Sequence, residues 1–166
     1  MTRKEFKQLY QTNVRCIRNY LYYRSGNPSA ADEITQETFV RVWEKQFDYD
    51  PKKTKSLLYK IANQLFLDSV RQYRLAEEHA DELSFRLKEG MEHNEPNAMM
   101  LKKCEQALAA LTENERVVFL MSRKDGMKYR DIADCLEISV KAVEKRMSQA
   151  LKKLAIEKTW KIATSQ

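Results

Sequence analysis

The stretch of sequence that decides the fold is YRDIADCLEISVKAVEKRMSQALKKL, residues 129–154. Its apolar residues recur every three or four positions on both sides of a short break, which predicts helices over 129–136 and 140–154. Ala133 is the small residue that two steeply crossing helices need where they touch, and Ser139 is placed to cap the second helix. This spacing predicts a helix-turn-helix.

The second helix of this pair is expected to have one buried and one exposed face. The residues expected in the core are Val140, Val143, Met147, Ala150, Leu151 and Leu154. A helix that enters the major groove of DNA reads bases mainly with its N-terminal residues. The candidates for contacts with bases or phosphates are therefore Lys141, Glu144, Lys145 and Arg146. The alternative is an ordinary helical hairpin with a solvated basic face.

The composition predicts an all-α protein. Of 166 residues, only three are Gly and three are Pro, too few for the frequent turns of an all-β fold. No uninterrupted apolar run exceeds five residues, far short of the roughly 20 needed to span a membrane. The N-terminal residues MTRKE lack the apolar segment of a secretory signal. We therefore expect a soluble, cytoplasmic protein without direct membrane insertion.

The charges divide the chain into three parts. Residues 1–75 carry a net charge of +6, residues 76–97 carry −5 and residues 98–166 carry +5. Basic blocks favour a polyanionic partner such as nucleic acid. The acidic segment contains Gly90 and Pro96 and no sustained apolar period. We therefore predict a linker over 76–97, which joins one small helical domain over 1–75 to another over 98–166.

Rare helix breakers divide the first domain into three predicted helices. The first, 3–24, ends at the SGNP segment 25–28, and the second starts near Ser29. The loop 48–51 precedes a third helix over 54–75.

In the second domain, a helix is predicted over 98–110. Thr112 and Glu115 then form the pattern of a capping box, which predicts the start of another helix.

The cysteines and histidines predict neither a metal nor a cofactor. Cys16 and Cys135 lie at positions compatible with a helical core, and no CxxC motif is present. His79, His93 and Cys104 have no metal-ligand spacing. An enzyme is excluded, because no nucleophile, base and metal ligands converge.

The predicted third helix carries a second candidate site for nucleic acid. Its polar residues are Lys60, Asn63, Gln64, Asp68, Arg71 and Arg74, and they share the helix with Tyr59, Phe66 and Tyr73. Basic and amide groups beside aromatic rings suit unpaired bases. The alternative is that these aromatic residues belong to the core.

Two groups of motifs resemble bacterial RNA polymerase sigma factors of the extracytoplasmic-function group. The resemblance to sigma region two lies in DEITQETFVRVW (32–43) and LLYKIANQ (57–64), followed by Asp68 and Arg71. The resemblance to region four lies in the segments 108–111, 115–119, 126–129, 131–133, 138–143 and 150–154. It covers roughly 1–75 and 98–158, nearly the whole chain. The resemblance implies an alternative sigma factor that directs promoter-specific transcription initiation.

The resemblance also implies roles for individual residues. The segment that contacts the polymerase would include Asp32, Gln36, Glu37, Arg41 and Trp43. Melting and capture of the minus-ten promoter element would involve Phe47, Asp48, Tyr49, Lys60, Asn63, Asp68 and Arg71. The minus-thirty-five element would be read by Arg130, Ser139, Lys141, Ala142, Glu144, Lys145 and Arg146.

The partners implied by the resemblance are the β′ and β subunits of core RNA polymerase, promoter DNA and an anti-sigma factor. The runner-up function is a stand-alone regulator that binds an operator as a dimer through the helix-turn-helix. This function would leave the segment 32–43 without a role.

The sequence departs from the family pattern at four positions. Glu137 replaces a Gly common in the turn, where a left-handed backbone is costlier without Gly. Leu57 stands where Trp is frequent, and Lys128 stands where Ser often caps the first short helix. Thr112 replaces a usual Pro, and the capping box compensates for that change.

Overall fold

The computed structural model describes residues 1–76 and 98–157, which form seven α-helices and no strand. The helices are α1 (Arg3–Ser25), α2 (Pro28–Lys45), α3 (Pro51–Ala76), α4 (Ala98–Ala110), α5 (Glu113–Arg123), α6 (Tyr129–Leu136) and α7 (Val140–Glu157). The all-α prediction is thus confirmed. The predicted linker lies outside the described residues except for Ala76, and so do His79 and His93.

The helix starts in the first half follow from local capping. The Thr2 hydroxyl accepts from the Glu5 amide at 3.2 Å, and the Glu5 carboxylate accepts from the Thr2 amide at 2.7 Å, which completes a capping box. Asn27 caps α2, whose first residue is Pro28. α3 starts three residues earlier than predicted, because the Asp50 carboxylate accepts from the amides of its first turn at 3.0 and 3.2 Å.

The predicted caps of α5 and α7 are confirmed. Thr112 and Glu115 form a reciprocal capping box at the start of α5. The Ser139 hydroxyl accepts from the Ala142 amide at 3.1 Å and caps α7. Lys128, which stands where the family often has Ser, precedes α6 without a side-chain capping bond. Glu137 takes the left-handed conformation, with φ of 54°.

In the N-terminal unit, α1 to α3, the three helices pack together through their apolar faces. α2 packs against α1 and α3, and α3 also packs against α1. The residues that are less than 1% exposed in this unit are Ile17, Leu21, Tyr23, Ala31, Thr38, Val42, Leu58 and Ala62. The Thr38 hydroxyl donates to the Ile34 carbonyl at 2.7 Å, so its burial leaves no unpaired donor.

The C-terminal unit, α4 to α7, contains an apolar wedge between the two helices of the helix-turn-helix. The residues that the sequence predicts for this wedge are Ile132, Ala133, Leu136, Ile138, Val143 and Met147. Leu136 and Ile138 are only half-buried. Ile132, Ala133, Val143 and Met147 are all less than 5% exposed, as the spacing predicts. α5 packs against both α6 and α7.

Three core predictions are corrected in part. Val140 is 40% exposed, because it lies in the first turn of α7, beyond the reach of the packing helices. Leu151 is half-buried at the edge of the core. Cys16 is also half-buried, whereas Cys135 is buried as predicted.

The two units are joined by an interunit contact, in which α1 and α3 of the N-terminal unit pack against α5 and α6 of the C-terminal unit. Its centre is Arg116 of α5, which is 2% exposed. The guanidinium donates to the carbonyl oxygens of Tyr23 at 2.6 Å, Arg24 at 3.2 Å and Leu111 at 3.4 Å. Helix ends leave their last carbonyls without intrahelical partners, and Arg116 supplies donors for two of those in α1.

Charged and polar side chains flank Arg116 on both sides. Arg24 of α1 pairs with Glu113 in the first turn of α5. Beyond the other end of α5, the Asp125 carboxylate accepts from the Tyr23 hydroxyl at 2.7 Å and from the Asn19 amide at 3.1 Å. The interunit contact is therefore both apolar and hydrogen-bonded, and the two units share one continuous core.

Burial gives Asp125 a pH-dependent effect on stability. Removal from water raises the pKa of this carboxyl, and hydrogen bonds from Tyr23 and Asn19 offset the shift only in part. The folded chain then retains the proton at a higher pH than the unfolded chain does. The contribution of Asp125 to the free energy of unfolding is therefore greatest at low pH and falls as pH rises through the folded-state pKa.

Asp125→Asn tests this effect, because an amide oxygen still accepts both hydrogen bonds but carries no charge. We expect the free energy of unfolding of the variant, relative to that of the native chain, to increase between about pH 3 and pH 7. Urea unfolding across that range measures the difference. A difference that does not change with pH would show that Asp125 titrates alike in the folded and unfolded chains.

Candidate nucleic-acid interface

The N-terminal turns of α7 form an exposed, largely basic surface above the buried wedge. Lys141, Glu144 and Lys145 are exposed, and Arg146 is half-buried. Of the remaining predicted residues for the upstream element, Arg130 and Ser139 are exposed and Ala142 is half-buried. The predicted residues of the turn and of α7 thus lie at the N-terminal end of α7, where a groove of DNA can reach them, whereas Arg130 lies in the first turn of α6.

An ion pair fixes α7 to α5. The Lys153 ammonium donates to both carboxylate oxygens of Glu115, at 3.0 and 2.9 Å. Burial opposes ionisation of Glu115, yet the bonds from Lys153 and from the Thr112 backbone hold its pKa below the usual range. The capping residue of α5 therefore also orients the helix that carries the basic surface.

A polar cleft of about 200 Å³ separates the two units beside this surface. Arg146 of α7, Glu137 of the turn, and Lys60 and Asn63 of α3 are among the residues that line it. Tyr59 of α3 and Cys135 of α6 also line this cleft. Predicted contacts for two different promoter elements, Asn63 and Arg146, thus face one cleft.

α3 presents fewer groups to nucleic acid than the sequence indicates. Lys60 and Arg71 are exposed, whereas the Asn63 side-chain oxygen accepts a hydrogen bond from Arg24. Asp68 is half-buried and accepts from Gln64 at 3.0 Å.

Of the two interpretations of the aromatic residues in α3, the structure supports the core for Tyr59 and Phe66. Tyr59 is 2% exposed and Phe66 is 7% exposed, so both belong to the core. Tyr59 packs against Tyr20 with ring centroids 5.2 Å apart, and the Arg24 guanidinium lies 4.1 Å from the centre of the Phe66 ring. The Tyr73 side chain is outside the described residues.

The loop between α2 and α3 carries the other predicted minus-ten residues. Phe47 and Tyr49 are half-buried and Asp48 is exposed. Tyr49 packs against the core, which anchors the loop beside the first turn of α3.

The outer face of α2 displays the residues predicted to contact polymerase. Gln36 is exposed, Asp32 pairs with Arg18 of α1, and Glu37 pairs with Arg41 at 2.9 Å. Trp43 is 37% exposed, and its ring lies 5.0 Å from that of Phe6. Asp32, Gln36 and Trp43 therefore lie along one edge of the exposed half of α2, and Glu37 and Arg41 lie along the opposite edge.

Sequence reasoning missed the cluster of aromatic rings next to Trp43. Phe6 and Tyr10 of α1 contact Phe39 of α2, with centroid distances of 6.4 and 4.9 Å. The spacing of Phe6 and Tyr10, one helical turn apart, is the signal that could have identified the cluster.

The described residues contain neither a candidate metal site nor a candidate membrane span. No group of three or more His, Cys, Asp or Glu side chains in 1–76 or 98–157 could hold a metal ion. None of the helices in these two ranges is long and apolar enough to cross a bilayer.

The fold and this surface define a helix-turn-helix DNA-binding protein that carries a second helical unit. Residues 9–75 match the family described as Sigma-70 region 2, and residues 101–154 match Sigma-70, region 4. The chain belongs to the sigma-70 family of RNA polymerase sigma factors, in its extracytoplasmic-function group. It is an alternative sigma factor that directs transcription initiation.

Individual relatives agree with this assignment. The ferric citrate uptake sigma factor FecI of Escherichia coli is 28% identical, over 88% of this chain and 86% of FecI. The ECF RNA polymerase sigma factor SigM of Bacillus subtilis is 25% identical, over 89% of this chain and 93% of SigM. The fold is similar to that of the sigma factor RpoE of Bartonella quintana in complex with the anti-sigma factor NepR. The TM-score is 0.67 at 19% identity, over 93% of this chain and 96% of RpoE.

Proposed function

We propose that this sigma factor contacts core RNA polymerase through α2 and divides promoter recognition between its two units. In this proposal, residues 1–75 bind polymerase and the minus-ten element, 76–97 link the units, and 98–166 read the minus-thirty-five element. The observation that carries the proposal is the exposed, basic N-terminal end of α7, which lies above the buried wedge between α6 and α7. The same chain also has exposed polar residues on α2. The chain supplies binding and positioning only and performs no catalysis itself.

The upstream element is read by the N-terminal turns of α7. Lys141 and Lys145 reach base edges or flanking phosphates from the exposed side of α7, and Arg130 reaches from α6. Ser139 fixes the start of α7 through its capping bond. Glu144, Ala142 and Arg146 complete the surface.

The minus-ten element is bound by α3 and the loop before it. Because Tyr59 and Phe66 are buried, capture of an unpaired base depends on the loop residues Phe47, Asp48 and Tyr49. Lys60 and Arg71 supply exposed positive charge farther along α3, and Asn63 and Asp68 supply polar contacts.

Core polymerase is bound by Asp32, Gln36, Glu37, Arg41 and Trp43, through its β′ subunit. A partly exposed tryptophan with a ring beneath it is a typical anchor of a protein interface. The β subunit is a further partner. An anti-sigma factor is also a partner, which is supported by the RpoE structure with NepR. These partners locate the protein in the cytoplasm.

The first experiment is co-migration of the purified chain with bacterial core RNA polymerase on a sizing column without DNA. A stable complex supports the proposal. The stand-alone regulator instead predicts no complex with polymerase, salt-sensitive duplex binding and a dimer in solution.

Lys141→Ala tests the assignment of α7. We expect holoenzyme binding to promoter fragments, selected with the native holoenzyme, to weaken by about threefold to tenfold because one contact to base or phosphate is lost. The affinity for core polymerase stays unchanged. Gel-shift titration of the holoenzyme measures the DNA affinity.

Lys152→Ala is the matched control, since it removes the same charge from an exposed position on α7 several turns away. Equal weakening by both variants would indicate a general charge effect and would contradict the assignment of the N-terminal turns.

A further inference from the structure

We propose that Glu144 determines specificity at the upstream element: its carboxylate accepts a hydrogen bond from the exocyclic amino group of a cytosine in the major groove. This inference rests on the proposed reading of that element by α7. Glu144 is the only acidic residue between Ser139 and Arg146, where every charged neighbour is basic. A role in base reading accounts for this exception.

Glu144 lies on the exposed side of α7, in its second turn. Lys141 lies one turn before it and Lys145 follows it directly, and all three side chains are exposed. Val143 and Met147 from the same turns are at most 2% exposed and pack into the wedge against α6. This buried pair fixes the rotation of α7 about its axis, so that Glu144 stays on the surface that carries the two lysines.

The fold does not require a carboxylate at position 144. Among the residues that the structure describes, Glu144 makes neither an ion pair nor a hydrogen bond. The start of α7 is capped by Ser139 instead. The helix dipole favours an acidic residue only within the first turn, which ends before Glu144. A lysine four residues later would form a helical ion pair, but that residue is Ser148. The carboxylate is therefore an unoccupied acceptor on the surface.

A carboxylate on a surface that binds DNA carries an electrostatic cost. Phosphates repel it, and it cancels part of the attraction that Lys141 and Lys145 exert on them. An ionised carboxylate is also purely an acceptor, so it forms hydrogen bonds only with donors. The donors that bases present in the major groove are the N4 amino group of cytosine and the N6 amino group of adenine. The favourable partner of Glu144 is thus a base and not a phosphate.

The acceptors that surround each amino group favour cytosine over adenine. The N6 amino group of adenine lies between two acceptors, its own N7 and the O4 of the paired thymine, and both repel an approaching carboxylate. The N4 amino group of cytosine has such an acceptor on one side only, the O6 of the paired guanine. Guanine O6 and N7 are in turn the acceptors that lysine binds, and Lys141 and Lys145 supply ammonium groups beside Glu144.

Two substitutions at position 144 have different expected effects on the preferred base. Glu144→Ala removes the acceptor, so the preference at the contacted base pair disappears. Glu144→Gln keeps an oxygen acceptor and adds an amide donor, and these two groups together bind N6 and N7 of adenine. Glu144→Gln should therefore change the preferred base at the same position from cytosine to adenine.

Asp134→Asn is the matched control for charge. It removes one negative charge from an exposed position on α6 that is outside the predicted contacts of the upstream element. Loss of a negative charge strengthens binding to DNA of any sequence. The control therefore separates this general effect from the reading of one base.

The experiment is selection of bound DNA from a library of duplexes with a randomised segment, by holoenzyme reconstituted from core RNA polymerase and each form of the chain. Sequencing of the bound fraction gives the base preference at every position. We expect the native chain to prefer cytosine at one position of the upstream element by about fivefold to 100-fold. Glu144→Ala should reduce this preference to about twofold or less, Glu144→Gln should transfer it to adenine, and Asp134→Asn should retain it. Preferences at the other positions should stay unchanged.

Three results would contradict base reading by Glu144. The first is an unchanged cytosine preference in Glu144→Ala. The second is a native preference for a base other than cytosine at the position that Glu144→Ala affects. The third is an equal loss of preference at every position, which would assign Glu144 a structural role in α7. Each of these leaves the proposed function intact, whereas a native selection without any enriched upstream position would overturn the reading of that element by α7 itself.

Discussion

Replacement of Arg116 by Ala is expected to lower the free energy of unfolding by about 3 kcal/mol, because a buried guanidinium that donates hydrogen bonds to backbone carbonyls is lost. The guanidinium is 2% exposed and satisfies carbonyls from α1 and from the segment between α4 and α5. Its removal leaves those carbonyls without hydrogen-bond donors. It also creates a void the size of a long side chain. Urea unfolding followed by far-ultraviolet circular dichroism measures the change.

Arg123→Ala is the matched control, because Arg123 is exposed near the end of the same helix. We expect this control to change the free energy of unfolding by about 0.5 kcal/mol or less. Arg116→Lys should recover only part of the loss, since one ammonium does not reproduce the planar fork of a guanidinium. Equal midpoints for Arg116→Ala and the control would contradict the central role of Arg116.

The second large effect is expected for Trp43→Ala, which should weaken binding to core polymerase by about 30-fold, as the loss of a central interface tryptophan does. Trp43 is 37% exposed, so its ring is available to a partner. The ring also packs against Phe6, which holds it in position. Fluorescence anisotropy with labelled chain and increasing core polymerase measures the affinity.

Tyr10→Ala controls for damage to the aromatic cluster. Tyr10 is 42% exposed and packs against Phe39 in the same cluster, but it lies on α1 outside the predicted polymerase contacts. We expect it to retain nearly native affinity, with helicity of both variants intact by circular dichroism. A comparable loss of affinity in Tyr10→Ala would show that the cluster as a whole, rather than Trp43, supports binding.

Local sequence signals predicted most of the fold. The capping box at Thr112 and Glu115, the cap at Ser139 and the Gly26 break all act within a few residues, so their effect can be read from the chain. The wedge of the helix-turn-helix was equally predictable, because short helices that cross need apolar residues at fixed spacing.

Features that depend on contact between the units were not predictable in the same way. Arg116 resembles a surface charge beside a capping residue, although its spacing to Phe119 and Leu120 places it on an apolar face. Tyr59 and Phe66 remained ambiguous because the pattern of α3 does not reveal how many helices cover it. The structure resolves the ambiguity, since α3 packs against α6 as well as α1 and α2.

The position of α2 keeps the proposed polymerase contact away from the interunit contact. α2 packs against α1 and α3, whereas the interunit contact is made by the faces of α1 and α3 toward α5 and α6. The chain therefore presents Gln36 and Trp43 to solvent while its two units remain packed together. Binding of a partner at this surface thus requires no prior separation of the units.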